Sequence, residues 1–321
     1  MEQTQKEIPR TDGVLQLGLA SLGTFRWAAA DITAPLEEAR RRLDLSPIAA
    51  VALGRALTAA ALLIRFSTKV PGRLLFEIRG DGPLEKISVE VSRDGHMRGL
   101  VGAPQIETPE SGELDIAWAI GKGTLSVTRI SEKRGRYSSQ VELVSGEISK
   151  DLAHFLEQSE QIHSAVLLGV LPRPDGIAAA GGFIIEALPG TEDQELVALE
   201  NNIARLDGVS VYLERGGIAA LRDAVVNGLG PEEIERYPLI YNCRCSRESL
   251  LDSLRTVAAA DLESVVDPQG QCAVECAFCG KRYLFPVEEL QTADEPRTDG
   301  EPQNGQPASA NGNGTGGGSA S

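Results

Sequence analysis

Cys243, Cys245, Cys272, Cys276 and Cys279 all fall in one stretch near the end of the chain, and nothing before Cys243 is a cysteine. Four of them make two close pairs. Cys243-Arg244-Cys245 is a CxC, and Cys276-Ala277-Phe278-Cys279 is a CxxC followed by Gly280 and Lys281. A disulfide-stapled secreted protein scatters its cysteines through the fold; a cluster of this kind reads as metal-binding or redox-active. Two close pairs of thiolates match the tetrahedral preference of zinc, so Cys243, Cys245, Cys276 and Cys279 are the expected Zn2+ ligands. His96, His154 and His163 lie far upstream and are not expected to contribute. A site with four cysteines is closed, with no open position for water or substrate, which excludes hydrolytic zinc chemistry. Gly280 should let the backbone turn so that its amides face the sulfurs. Cys272 is left over and is expected to be a spare or partly buried thiol, with a substitute ligand or an off-pathway disulfide partner as its other uses.

Magnitudes suggest that such a site acts as a switch. The cysteine module is too small to build a generous core. Zinc binding contributes on the order of 10–16 kcal/mol to folds of this kind, whereas whole domains are stable by about 5–15 kcal/mol. Loss of the metal should therefore unfold the module. A bridge inside a CxC or a CxxC closes almost no loop and constrains the unfolded chain little. Oxidation would thus exchange a strong clamp for weak local links. Arg244, Lys281 and Arg282 are expected to supply positive charge that favours reactive thiolates.

The elements that must position these residues form an α+β chain. Residues 1–190 are expected to make an antiparallel sheet with helices packed against one side. Thr24 to Ile32 reads as a strand. Ser46-Pro47 is a good helix start, and the alanine-rich helix continues to about Arg65. Arg73 to Gly80 and Ile87 to Val91 are strands around Asp81-Gly82-Pro83. Gly123 to Ile130 and Tyr137 to Val144 form another hairpin, Glu147 to Gln161 a helix, and Ile177 to Leu188 a final strand. Residues 191–241 read as a helical linker with two narrow apolar stripes: Leu196, Leu199, Ile203 and Leu206, then Ile218, Leu221, Val225 and Leu229. Such helices are marginal alone and need a surface to dock on. Residues 242–290 are the expected zinc-binding redox module, with a helix capped by Ser246, a second helix beginning near Asp261, and strands on either side of the CxxC. Residues 291–321, rich in Gly, Asn, Ser, Pro and Gln, are expected to be disordered.

The 321 residues carry a net charge of −15, which argues against a nucleic-acid partner and suits a protein that must stay soluble while exposing apolar surface. The apolar run from Ile48 to Ile64 is interrupted by Arg55 and Thr58 and reads as a buried helix, so no membrane partner is expected. Met1 to Gly13 is polar, with no secretory apolar segment, and the expected location is cytoplasmic.

The chain resembles the redox-regulated bacterial chaperones called the thirty-three-kilodalton heat-shock proteins. The likeness runs from about Gly13 to Leu290 and is sharpest in CRCSRESLL from Cys243 and CAFCGKRYLF from Cys276. GRLLFEIRGDGPL (Gly72 to Leu84), GKGTLSVTR (Gly121 to Arg129) and DLAHFLEQSEQIHSAVLLGV (Asp151 to Val170) also fit the family pattern. The resemblance implies a non-enzymatic holdase, ATP-independent, that is inactive while reduced and zinc-bound. It implies disulfides Cys243–Cys245 and Cys276–Cys279 on oxidation, with zinc release, unfolding of the redox module and a mobile linker over roughly Thr191 to Ile240. The partners it implies are unfolding client proteins and, once activated, a second copy of the chain. Cys272 and the Gly/Asn-rich tail depart from the pattern.

Two other readings compete. A zinc-ribbon module binding nucleic acid needs a basic face, yet Arg244, Arg247, Arg255, Lys281 and Arg282 are offset by neighbouring acids. A thiol–disulfide oxidoreductase would use Cys276 and Cys279 at the start of a helix, where the helix end lowers the first thiol's pKa; here the pair is expected in a hairpin.

Overall fold

The computed structural model describes residues 12–66, 72–109, 112, 114–131, 133, 135–255, 266–267 and 269–291. The expected second module helix near Asp261 and the expected disordered tail beyond residue 291 lie outside the described residues.

Alternating apolar residues build the strands β1 (Gly13–Ala20), β2 (Phe25–Asp31), β3 (Arg73–Gly80), β4 (Lys86–Ser92) and β5 (His96–Val101). They are followed by β6 (Gly123–Ser131), β7 (Gly135–Glu142), β8 (Ser164–Arg173), β9 (Gly176–Ala187) and β10 (Glu232–Tyr241). All ten join one sheet in the order β7-β6-β3-β4-β5-β10-β1-β2-β9-β8. The expected antiparallel pattern holds except at one seam: β10 runs parallel to β5 through Ile240↔His96 and Tyr241↔Met97. On its other side β10 pairs antiparallel with β1 from Gly13↔Leu239 to Leu19↔Glu232. β10 therefore completes the sheet between its two halves. The linker expected over residues 191–241 is thus helical only in its first part, because the final ten residues find long-range strand partners.

Helices α1 (Thr33–Leu43), α2 (Pro47–Phe66), α3 (Ile116–Ile120) and α4 (Ser149–Phe155) accompany the sheet. α2 is the alanine-rich helix, starting with proline at its first position, and nearly all of its residues are buried. It is long and apolar enough to cross a membrane by composition, but 89% of its window is buried inside the fold, so it is a core helix. The expected helix to Gln161 is α4 plus a turn of π-helix over Leu156–Glu160, which ends at Gln161 with a φ of 56°.

Helices cover both faces of the sheet, not one. Ala28, Ala30, Ala180 and Ile184 pack in the cluster built around α2. The alternate residues Phe25, Trp27, Ala29, Phe183 and Ile185 pack in a second cluster with α5 (Asp193–Ala204) and α6 (Val209–Val225), through Leu199, Leu213, Leu221 and Val225. This is why β2 and β9 read as nearly unbroken apolar runs: both sides are buried. Trp27 and Phe183 stack at 5.7 Å between ring centroids, and Trp27 Nε1 donates to the Leu19 carbonyl at 2.9 Å.

Two compact units form. One holds the residues up to Cys245 together with Glu275–Tyr283; the other holds Ser246–Val274 and the residues from Leu284 onward. The expected boundary near residue 242 is therefore crossed, because both cysteine pairs fall in the unit of the large sheet. In the second unit, Ser246 caps α7 (Arg247–Leu254) by accepting from the Ser249 N–H at 3.1 Å, as expected. Strands β11 (Gln271–Glu275) and β12 (Arg282–Pro286) pair as a two-stranded sheet, followed by α8 (Val287–Gln291).

Glu37 ties α1 to its neighbours. It accepts from Arg40 at 2.8 Å, from Arg41 at 2.7 Å and from the Ile177 N–H at 3.1 Å. The Arg40 hydrogen bond, then the Arg41 and Ile177 bonds, hold its carboxyl at about 2, below the ordinary 4.5. A carboxyl that is more acidic in the folded state stabilises the fold above its unfolded pKa, and that contribution fades as pH falls through the folded value. Urea titrations of wild type and Glu37→Gln should therefore show the variant losing less stability between pH 4.5 and about 2. Parallel pH curves for the two proteins would contradict this.

Candidate metal centre

The CxC emerges directly from the end of β10. Its position is set by the turn between β4 and β5, where Gly95 has a φ of 90° and comes so close to β10 that a Cβ there would lie 2.0 Å from the Pro238 carbonyl oxygen. The Ile240 N–H donates to Gly95 O at 2.9 Å, and the Asn242 N–H donates to Met97 O at 2.9 Å. Arg244, between the two cysteines, turns to Asp94 at 3.7 Å.

The CxxC occupies the turn between β11 and β12. Cys276 N–H donates to Lys281 O at 2.9 Å, while the N–H groups of Cys279 and Gly280 donate to Cys276 O at 3.1 and 2.8 Å. Gly280 has a φ of 68°, and a Cβ there would lie 2.7 Å from the Arg42 carbonyl oxygen, so this position is suited to glycine on two counts. The turn aims backbone amides at sulfur as the sequence predicts: Phe278 N–H at Cys276 and Lys281 N–H at Cys279. In the CxC, the Cys245 N–H serves Cys243. A pair in such a turn lacks the helix N-terminus that activates the thiol of an oxidoreductase CxxC.

The four sulfurs of Cys243, Cys245, Cys276 and Cys279 all lie within 4.8 Å of one another. Cys243 Sγ is 3.6 Å from Cys276 Sγ, and Cys245 Sγ is 3.5 Å from Cys279 Sγ. A tetrahedron with metal–sulfur bonds of about 2.3 Å has edges of about 3.8 Å, so the cluster has the size a zinc ion requires. These separations far exceed a disulfide bond of about 2.05 Å, and all five cysteines are free thiols. Cys276 and Cys279 are buried, Cys243 and Cys245 half-buried. Hydrogen bonds, first from Cys279 and then from the Cys245 amide, pull the Cys243 thiol down to about 4. Burial first, and then Cys243 itself, pushes Cys276 up; hydrogen bonding to Cys243 and burial push Cys279 up. The physical content is mutual repulsion. Four sulfurs this close share one negative charge readily and carry more only beside a cation.

Residues without an obvious signal in the sequence complete the surroundings. Tyr241 is buried; its Oη donates to Phe278 O at 2.6 Å. Burial, then the neighbouring Cys243, raises its pKa. Tyr283 Oη lies 3.2 Å from Cys245 Sγ and donates to Cys245 O at 3.2 Å. Arg98 on β5 brings a cation to one of the sulfurs. Its Nη1 lies 3.9 Å from Cys243 Sγ, and its guanidinium sits 4.3 Å from the Phe278 ring centroid. Arg244, the sequence's candidate for positive charge here, is turned to Asp94 instead, and Lys281 lies over the Tyr283 ring. Cys272 is buried on β11, in the second unit, outside the cluster of four.

Comparison with known proteins gives one consistent picture. Residues 14–286 match the family model described as Hsp33 protein. A 33 kDa chaperonin of Thermus thermophilus is 40% identical over 293 residues, covering 87% of this chain and 86% of that protein. The 33 kDa chaperonin of Symbiobacterium thermophilum is 41% identical over 272 residues, covering 84% and 92%. The crystal structure of the Thermotoga maritima 33 kDa chaperonin, a heat shock protein 33 homologue, superposes with a TM-score of 0.80 at 33% identity, covering 87% of this chain and 96% of that one.

Because metal binding must displace protons from thiols held in the protonated form, affinity should rise with pH. Each proton displaced corresponds to about a tenfold change in affinity per pH unit. Competition with a chromophoric chelator between pH 6 and 8, read on the reduced chain, should show tighter zinc binding at each higher pH. Cys279→Ser should reduce the affinity at every pH. A flat pH profile, or a serine variant that binds as tightly as wild type, would contradict the assignment.

Proposed function

The chain belongs to the Hsp33 protein family, and from that premise we propose that it is a redox-regulated, ATP-independent holdase, inactive while Cys243, Cys245, Cys276 and Cys279 hold Zn2+. The observation that carries this reading is the closed cluster of four sulfurs at the end of β10. When bound, zinc keeps the sulfurs ionised and cross-links two segments that are far apart in sequence. Cys243 and Cys245 come from the strand end, Cys276 and Cys279 from the hairpin turn. Internal amide hydrogen bonds shape that turn, and Tyr241 on β10 holds it against the sheet through Phe278 O.

Oxidation by a peroxide removes two electrons from each pair of sulfurs and puts them into an O–O bond, giving one disulfide and two hydroxide ions. The family resemblance assigns the pairs as Cys243–Cys245 and Cys276–Cys279. Paired covalently within the CxC and within the CxxC, the sulfurs no longer bridge the two segments. The β10 end then loses its partner turn, and with it the support beside the two-residue seam to β5.

What the chain would uncover is visible in its second apolar cluster. α5 buries fully only Leu199 and is tied by few polar contacts. Asn202 Nδ2 donates to Val225 O at 3.1 Å and to Asn227 O at 2.9 Å, and Glu195 accepts from Ser21 and Thr24. A helix held by so few buried contacts belongs to the least stable part of a fold. Beneath α5 and α6 lie Phe25, Trp27, Phe183 and Ile185, an aromatic and aliphatic face suited to unfolding polypeptides of mixed sequence. The charge of −15 keeps such an exposed form soluble. The client class is therefore partly unfolded protein with exposed apolar side chains; the activated form is a homodimer, and the site of action is the cytoplasm. The proposed activity is binding and not catalysis, as the family reading implies.

The test is suppression of aggregation of a thermally unfolding reporter protein, measured with the reduced zinc-loaded chain and again after peroxide with mild heat, while zinc is followed with a metallochromic dye. Suppression should appear only after oxidation and in step with release of one zinc per chain. Equal suppression by both forms would overturn the switch.

A further inference from the structure

Arg98, on β5 of the sheet, touches both halves of the cysteine centre. Its Nη2 pairs with Glu90 at 2.8 Å, and Glu90 is shared with Arg73 at 3.3 Å, so the guanidinium is held from below by β4 and β3. Above, the same group stacks on Phe278 of the CxxC and approaches Cys243 of the CxC. The Arg98 side chain is only 20% exposed, a setting in which cation–π and charge-assisted contacts are stronger than on an open surface.

We propose that Arg98 is the positioning residue that seats the CxxC turn on the sheet while the sulfurs are anionic, and that oxidation releases this seat by removing its charge partner. The proposal deepens the reading of the four cysteines as a redox centre and rests on it. Two thiolates and one hydrogen peroxide yield one disulfide and two hydroxide ions: two electrons enter the O–O bond, the sulfurs become neutral, and both hydroxides leave to solvent. Arg98 then faces neutral sulfur, and Glu90 is the charge partner left to it. Without the charge at Cys243 the guanidinium no longer keeps its place under the Phe278 ring, and the remaining hold on the turn is the Tyr241 hydrogen bond. Arg98 thus makes the seating of the turn depend on redox state, beyond what loss of the metal does to the turn itself.

The experiment is hydrogen exchange, read by mass spectrometry over Cys276 to Gly280, on the full chain in its reduced zinc-loaded and peroxide-oxidised forms. In the reduced form, Arg98→Met should exchange about tenfold faster than wild type across this segment, and a chelator should take its zinc correspondingly faster. In the oxidised form the two proteins should coincide, because the contact is already lost in wild type. Arg98→Lys keeps the charge but not the planar stack and should fall between them. A reduced form that exchanges like wild type would overturn the proposal, as would a difference that persists after oxidation, since a general structural defect would show in both states. If Arg98→Met does not fold, Phe278→Leu removes the same contact from the other side and should give the same pattern. A wild-type chain that keeps its zinc through peroxide would instead remove the underlying redox reading, an outcome distinct from either result with Arg98.

Discussion

Four sulfurs within 4.8 Å of one another repel as soon as more than one is ionised, and a cation resolves that repulsion. The rest of the molecule is arranged around this constraint. Two of the sulfurs come from the end of a strand in the large sheet, two from a hairpin turn more than thirty residues later. Neither segment has a large apolar core of its own at the site. The Cys276 to Lys281 turn relies on its internal hydrogen bonds, on Tyr241 and on Arg98. On the proposed function, this metal-sized gap among four sulfurs is a structural joint whose strength depends on oxidation state.

The position of that joint matters because β10 lies between helical and metal-binding parts of the chain. It follows α6, completes the sheet between β1 and β5, and ends two residues before Cys243. Its ladder with β1 extends along the strand, whereas its pairing with β5 involves only Ile240 and Tyr241. The ladder with β1 fixes β10 to one half of the sheet, and the short seam to β5 joins the two halves. The cysteine end is the one whose environment would change under the proposed redox switch. On the other face, α5 and α6 cover Trp27 and Phe183, with α6 burying five apolar side chains and α5 fully burying only Leu199.

Much of this was legible from residue order alone. Strand β3 agrees with its sequence reading at both ends, and α2 and β9 within a residue or so at each end, because their apolar periodicity and turn residues are local signals. The four cysteines were legible for the same reason: metal ligands sit in short fixed spacings. β10 was not. Its sequence, EEIERYPLIY, begins with charges, contains Pro238 and buries few side chains, so its strand character comes from β1, more than two hundred residues away in sequence. Helices on both faces were missed because a doubly buried strand does not announce which helix covers which side. Arg98 was invisible because the contact joins residues 145 apart in sequence, and arginine on an alternating strand reads as an ordinary exposed residue.

The central claim is that the sulfur grip and the burial of the aromatic face rise and fall together. Hydrogen exchange over Asp193–Val225 and over α2, on the full chain before and after peroxide treatment, tests it most directly. The account predicts that α5 and α6 lose most of their protection after oxidation while Pro47–Phe66 keeps its own. Unchanged protection of α5 and α6 in a fully oxidised, zinc-free chain would contradict it.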